Sequence, residues 1–393
     1  MSGAPVSPEG LATEVAFRPV ALGGATVTFA VIGATSSLYG PLLVAFSHRF
    51  QLSLPSAGAV LSVHFVGALL GVPLAWLGVK RLSGALVLSG ALSLVALGAF
   101  GAAVAAHWSL LLASVFLIGL GYGGLDFTLN TLLTRTRATG RAHRLSVVNA
   151  GFGVGAVVGP LLIIAAHPAH FAPILAGIGA MSLVLIGANR GVHAPALRAE
   201  ENQRVISAMR AERRPILFTF IGGYVLYIAV ETSAAGWMAS HLHGLGYSQS
   251  VASLVTAGFW AGVALGRVLG APAHRRWSER TLVLGGLALA ALLGLVALVA
   301  PLAPYAYALM GLVVALVFPM GLIWYTSLCP HDSDGVALMI LFMMAGGIIG
   351  PGAQSLLVAV AGIHVVPLVV TGFALADLGL FASALRFTPL VTR

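Results

Sequence analysis

Charge is what this sequence has least of. Of its 393 residues only 8% are Asp, Glu, Lys or Arg, the acids number 11, and Lys80 is the single lysine. A soluble domain carries about 25% charged residues, so a water-facing surface is excluded for most of the chain. Cysteine is almost missing too. Cys329 stands alone, which excludes a disulfide framework and a Cys-based metal site within one chain. No Gly-x-x-x-x-Gly-Lys-Ser/Thr run is present to cradle a nucleotide phosphate, so ATP is not expected to drive any process in this chain. His241 and His243 form an HLH triplet without a metal-ligand set, and neither a metal nor another cofactor is expected. No enzyme signature stands out. The first 20 residues lack the basic start, short apolar run and cleavage site of a removed signal peptide, so the first helix is expected to direct insertion itself. The period-two alternation of an outer-membrane barrel is also lacking.

What is present is apolar length. Hydrophobic residues make up 59% of the chain and the mean hydropathy is +1.00. Gly- and Ala-rich apolar segments recur, each long enough to cross about 30 Å of hydrocarbon as a helix. Twelve spans are predicted: 20–46, 55–78, 84–106, 109–133, 145–166, 171–189, 215–241, 249–271, 281–301, 303–328, 336–361 and 365–386. The fold class is therefore an all-α membrane protein. The net charge of +9 is explained by orientation, and no nucleic-acid partner is expected. With the N-terminus inside, eighteen basic residues fall in inside segments and Arg49 alone falls outside, with Arg267 left within a span. Both termini are thus expected in the cytoplasm. The richness in Arg, Ala, Gly and Leu points to a high-GC prokaryote and a cell inner membrane.

The chain divides as residues 1–190, a first six-helix bundle, 191–214, a cytoplasmic linker, and 215–393, a second bundle. The linker collects Glu200, Glu201, Glu212 and five arginines and reads as a solvated, partly amphipathic connector. The bundles repeat. Gly67 and Gly71 of the second span return 191 residues later as Gly258 and Gly262, and Gly155, Gly159 and Pro160 return as Gly346, Gly350 and Pro351. A single offset serving two helix pairs implies two similar bundles in parallel orientation.

Five span residues can hold charge: His64, Asp126, Glu231, Arg267 and Asp377. An acid at mid-membrane costs about 2.5 to 3.5 kcal/mol on insertion scales and calls for a reason. Gly119, Gly123, Asp126 and Asn130 fall on one helical stripe, which suits a protein- or water-facing side. Asp126 is read as a proton or solute site, against a structural carboxylate paired with an arginine or a backbone amide. Glu231 shares a stripe with Tyr224 and Tyr227. Rings and hydroxyls beside a carboxylate suit a polyhydroxy ligand, whose C–H faces stack while its hydroxyls bond to polar groups. His64 can share a proton with either acid or sit as a buried neutral ring. Arg267 is expected to pair with a carboxylate or a helix end. Asp377 leaves an oligomer contact, a hydrated defect and a pathway role open.

Twelve spans, a middle loop and these motifs resemble the major facilitator superfamily, along the whole chain. The loop after the second helix in that superfamily reads Gly-x-x-x-Asp-Arg-x-Gly-Arg-Arg/Lys. Here Gly71, Gly78 and Lys80 are in register, but Ala75 and Trp76 replace the Asp-Arg pair, and Gly266-Arg267 carries what remains in the second copy. Closer still is a resemblance to the fucose/proton symporter group of sugar transporters. It rests on Asp126 with Asn130, on YIAVETSAAGW from Tyr227 to Trp237, and on WAGVALGR from Trp260 to Arg267. That symporter also has an acid in helix one, where this chain has Gly40. The run GVGAVVGP, ending at Pro160, resembles the motif of drug/proton antiporters as well.

The resemblance implies two six-helix bundles rocking around a central site, lined by helices one, four, seven and ten with two, five, eight and eleven beside them. The expected function is proton-coupled transport of a small polar solute, a sugar first, by a monomer in the bilayer; the alternative is a drug or metabolite/proton antiporter. Proton coupling would fall to Asp126, Glu231 and His64. Solute contacts would come from Asn130, Tyr39, Tyr224, Tyr227, Glu231, Trp260, Trp324 and Gln354. Gating would involve Gly71, Gly78, Arg267, Pro160 and Pro351.

Overall fold

The computed structural model describes residues 15–136, 141–166, 170–196, 214–330 and 332–387. Most of the predicted linker, 197–213, lies outside the described residues, as do the extreme termini. Thirteen helices carry the described chain: α1 Pro19–Phe50, α2 Leu54–Arg81, α3 Gly84–Ala103, α4 Trp108–Thr134, α5 Arg141–Ala166, α6 Phe171–Ala188, α7 Arg214–Gly244, α8 Gln249–His274, α9 Glu279–Val296, α10 Ala303–Val314, α11 Val317–Leu328, α12 Ser333–Ala361 and α13 Val366–Ser383. By length and composition they make twelve membrane-crossing spans, the tenth of them shared by α10 and α11. This is a multi-pass, all-helical membrane protein, as the sequence predicts.

Local chemistry sets the ends. Ser83, Ser248 and Ser278 cap α3, α8 and α9 by accepting the amides of Leu86, Val251 and Thr281, and Asp332 caps α12 through Gly335. Gly246 (φ 90°) and Gly362 (φ 81°) turn the chain ahead of α8 and α13 in a left-handed conformation that side chains disfavour. The tenth span breaks at Ala315–Leu316. Pro319 has no N–H to offer the Ala315 carbonyl, and its ring crowds that position, so the helix stops and restarts.

Small residues bring the helices together, since lipid supplies no hydrophobic push and association rests on close packing. A Cβ on Gly71 would meet the Leu120 carbonyl of α4, and one on Gly123 the Ala68 carbonyl of α2. In the second half, Gly266 abuts the Leu312 carbonyl and Gly311 the Phe259 carbonyl. The α2–α4 contact therefore returns as α8–α10. Likewise Gly155 and Gly159 of α5 abut Ala30 and Ala34 of α1, and Gly346 and Gly350 of α12 abut Val225 and Ala229 of α7. Of the glycines that reveal the repeat in the sequence, all but Gly258 stand where a neighbouring helix comes too close for an added Cβ.

Two compact units emerge. One comprises Met1–Gly33, Val66–Gly155 and Ala172–Glu201; the other comprises Ala34–Phe65, Ala156–Phe171 and Asn202–Arg393. The first holds a two-residue antiparallel ladder, β1 (Ala16–Phe17) with β2 (Val192–His193), closed by the Arg18 amide on the Gly191 carbonyl at 3.0 Å. In this unit Lys80 lies 3.1 Å over the Trp76 ring, so the position that carries Arg in the superfamily loop holds a cation–π contact instead. The second unit packs the α1 and α2 segments that flank their connecting turn against α7, α8 and α12. Ser62 Oγ donates to the Ile348 carbonyl at 3.0 Å, and Gln249 Nε2 to the Pro41 carbonyl at 2.8 Å.

Candidate functional site

In the first unit the site is a chain of amides ending on an acid. Asp126 and Asn130 are one turn apart on α4, so their side chains meet. Asn130 Nδ2 donates to Asp126 Oδ1 at 3.1 Å and to the Asp126 carbonyl at 3.0 Å. Asn149 Nδ2, from α5, donates to Asn130 Oδ1 at 3.1 Å and to the Leu145 carbonyl at 2.9 Å. Asp126 is half-buried. Among the described residues no Lys or Arg forms an ion pair with it, so the arginine-paired alternative finds no support. Asn149 lies 19 residues from Asn130, a separation with no helical spacing that could tie the two together from sequence.

In the second unit the acid is held differently. Tyr227 donates from Oη to Glu231 Oε2 at 2.6 Å across one turn of α7, and the guanidinium of Arg267, on α8, reaches the same Tyr227 hydroxyl. Glu231 is 7% exposed. A carboxyl group, a phenol and a guanidinium thus follow one another from α7 to α8. Tyr224 shares the stripe but turns elsewhere, donating to the Phe318 carbonyl at 2.8 Å, just past the break in the tenth span.

The remaining predicted site residues have protein neighbours in this state. Tyr39 on α1 and His64 on α2 meet through Tyr39 Oη and His64 Nδ1 at 3.3 Å, both deeply buried. Trp324 stacks on Phe381 at 6.0 Å and meets Phe220 edge-on, with no surface exposed. Trp260 packs edge-on against Phe259. Gln354 is fully buried, and neither its amide nitrogen nor its oxygen has a hydrogen-bond partner among the described residues. Pro160 and Pro351 lie inside α5 and α12, while Gly78 faces Val87 of α3. Among the described residues no group of three His, Cys, Asp or Glu is placed to hold a metal.

Gly40 explains the missing helix-one acid. A Cβ at this position would sit 2.5 Å from the Ala235 carbonyl oxygen and 3.0 Å from that of Gly236 on α7. With α1 and α7 this close, no side chain fits, and a carboxylate would face two carbonyl oxygens. Glycine is what the packing requires here.

The family model of the Major Facilitator Superfamily matches residues 25–337. The chain belongs to this superfamily. Solved members share the fold across nearly their whole length. The peptide transporter POT in complex with alafosfalin has a TM-score of 0.77 at 16% identity, covering 98% of this chain and 98% of that one. The nucleoside transporter NupG has 0.76 at 14%, covering 93% and 99%. FucP, in its outward conformation, has 0.63 at 19%, covering 92% and 98%. A search of curated proteins returns no match. Members of the superfamily move small solutes, and this chain is a transporter by that membership; identities this low carry the fold and not the cargo.

Proposed function

We propose that the protein is a proton-coupled secondary transporter of a small polar solute, a sugar or a similar polyhydroxy compound, working by alternating access from a cell inner membrane with both termini cytoplasmic. The observation that carries this reading is the Asp126–Asn130–Asn149 chain. A membrane acid held by amides and not by a cation is free to exchange a proton, because either protonation state keeps a hydrogen-bond partner. Desolvation favours the neutral form of a carboxyl group and hydrogen bonds favour the charged one, so a half-buried acid on amides can load and unload.

Glu231 takes the complementary role. Bonded to Tyr227, with Arg267 beyond it, this carboxyl offers the solute a fixed pattern of acceptor and donors. The unpartnered Gln354 amide supplies further hydrogen bonds to hydroxyls once a ligand is bound. Support for a polar cargo comes from the similar folds, which include a D-xylose–proton symporter and transporters of nucleosides and peptides. In the orientation expected from the positive charges, the α1–α2 turn lies outside. The contacts of Gly40, Pro41 and Ser62 with α7, α8 and α12 then form the closed outer gate.

In proteoliposomes, Asp126→Asn abolishes pH-driven accumulation while sparing solute exchange; unchanged accumulation would sink the assignment. A thermal-shift screen of sugars against lipophilic cations decides between this reading and export of drugs or metabolites.

A further inference from the structure

Of the three acids that the sequence reading places within spans, Asp377, on α13, is the one that the scheme above leaves unused. The sequence leaves open a contact with another subunit; its side chain is instead 0% exposed inside the helices of its own unit. Neither carboxyl oxygen has a hydrogen-bond partner among the described residues. An ionised carboxylate without partner or water costs several kcal/mol, far more than the neutral acid. Tyr224 packs edge-on at 6.2 Å against Phe381, which lies one turn from Asp377 on the same face of α13. The Tyr224 hydroxyl now donates to the Phe318 carbonyl, next to Pro319 where the tenth span restarts. Phe381 in turn stacks on Trp324, whose indole N–H has no hydrogen-bond partner among the described residues.

The geometry points to Asp377 as a second proton-binding site, coupled to the broken tenth span through Tyr224. Protonated, Asp377 makes no demand on Tyr224, whose O–H holds the Phe318 carbonyl as observed. When the proton leaves to solvent, the carboxylate becomes the stronger acceptor, because charge-assisted hydrogen bonds are about twice as strong as neutral ones. The Tyr224 O–H then turns from Phe318 to Asp377 and frees the α10–α11 junction. The step moves one proton and exchanges one hydrogen bond for another.

The other charged or titratable groups of the packed elements lie at helix ends or are bonded elsewhere: Arg214 opens α7, His241 and His243 close it, His241 meeting Tyr307, and Arg386 follows α13. The α9 helix carries Glu279 and Arg280 only in its first turn, where they pair at 3.7 Å; α12 has no titratable residue from Val336 to Ala361; and Tyr325 of α11 is bonded to Asp332. On α7, Tyr227 and Glu231 are joined to each other. The role in transport rests on the proton-coupled reading, but the site binds its proton whatever the cargo.

The test needs no solute: pH-difference infrared spectroscopy of the full-length protein in lipid nanodiscs. The wild type is expected to show the carbonyl band of a protonated carboxyl that vanishes as pH rises. Asp377→Asn, an isostere of the neutral acid, should remove that component and leave the one lost in Asp126→Asn. Tyr224→Phe should keep the Asp377 band and move its titration midpoint by about one pH unit, since the ionised form loses its donor. A spectrum of Asp377→Asn identical to wild type overturns the site. A midpoint unmoved by Tyr224→Phe, which leaves Asp377 in place and serves if the Asn variant does not fold, overturns the coupling. Unchanged pH-driven accumulation in Asp126→Asn, with the Asp377 band intact, would instead strike the functional reading alone.

Discussion

Asp126 and Glu231 are both span acids, yet their surroundings differ in the feature that matters for proton traffic. Asp126 is half-buried and rests on the neutral amide of Asn130, itself steadied by Asn149. Glu231 is buried under a phenol that also touches a guanidinium. Amides hydrogen-bond a carboxyl in either charge state, whereas a permanent cation favours only the ionised one. The lesson is that an acid's position along a helix says less about its role than the charge of what bonds to it. One acid rests on amides and the other on a phenol with a guanidinium behind it.

The comparison breaks most visibly at Asp126. The Asn variant should lose accumulation against a pH gradient completely, whereas Glu231→Gln should retain pH-driven coupling; if the two lose it alike in a proteoliposome flux assay, the division of labour is wrong. Glu231→Gln is expected to weaken solute binding by about 1.5 to 3 kcal/mol, roughly 10- to 150-fold, the worth of hydrogen bonds to a charged group. Isothermal titration with whichever solute the screen yields measures it.

A third variant probes the contact that denies α1 an acid. Gly40→Ala places a carbon against the Ala235 carbonyl and should lower stability by about 1 to 3 kcal/mol, read as a lower Tm. It should also speed thiol labelling of a cysteine put at Ser62, which joins the same contact. Labelling no faster than in the Gly40 background would remove Gly40 from the gate. The smallest effect belongs to Asn149→Ala. Losing one neutral hydrogen bond costs about 1 kcal/mol, so the pH optimum of transport should move by less than about one unit with the maximal rate nearly kept.

The fold was legible because membrane spans follow from length and hydropathy, and because the glycines of the repeat are spaced by the offset at which the helices later touch. Gly71, Gly155 and their copies needed no structure to be found. The Tyr227–Glu231 bond was legible too, since four residues is one helical turn. What sequence could not give is anything that joins different helices. The Asn149 link to Asn130, the turn of Tyr224 away from Glu231 toward Phe318, and the inward aim of Asp377 depend on helix rotation, which a nearly uniform apolar sequence does not encode in its periodicity. The break in the tenth span was not legible, since 303–328 reads as one apolar span; the 191-residue shift carries Asp126 onto Val317, the first residue of α11 after the break. Where one half has a carboxylate, the other has a gap in its backbone.

The short β1–β2 ladder sets an order of events during synthesis. Ala16 and Phe17 pair with His193 and Val192, so the clasp cannot close until the chain has been made through the sixth span. At about 5–20 residues per second, the ribosome needs on the order of ten seconds or more to reach that point. Until then the start of the chain is tethered only by its first helix; afterwards the beginning and end of the first six spans are tied before the seventh has been made. The ladder is therefore a timer for assembly, and its loss should show in the yield of inserted protein before it shows in the rate of transport.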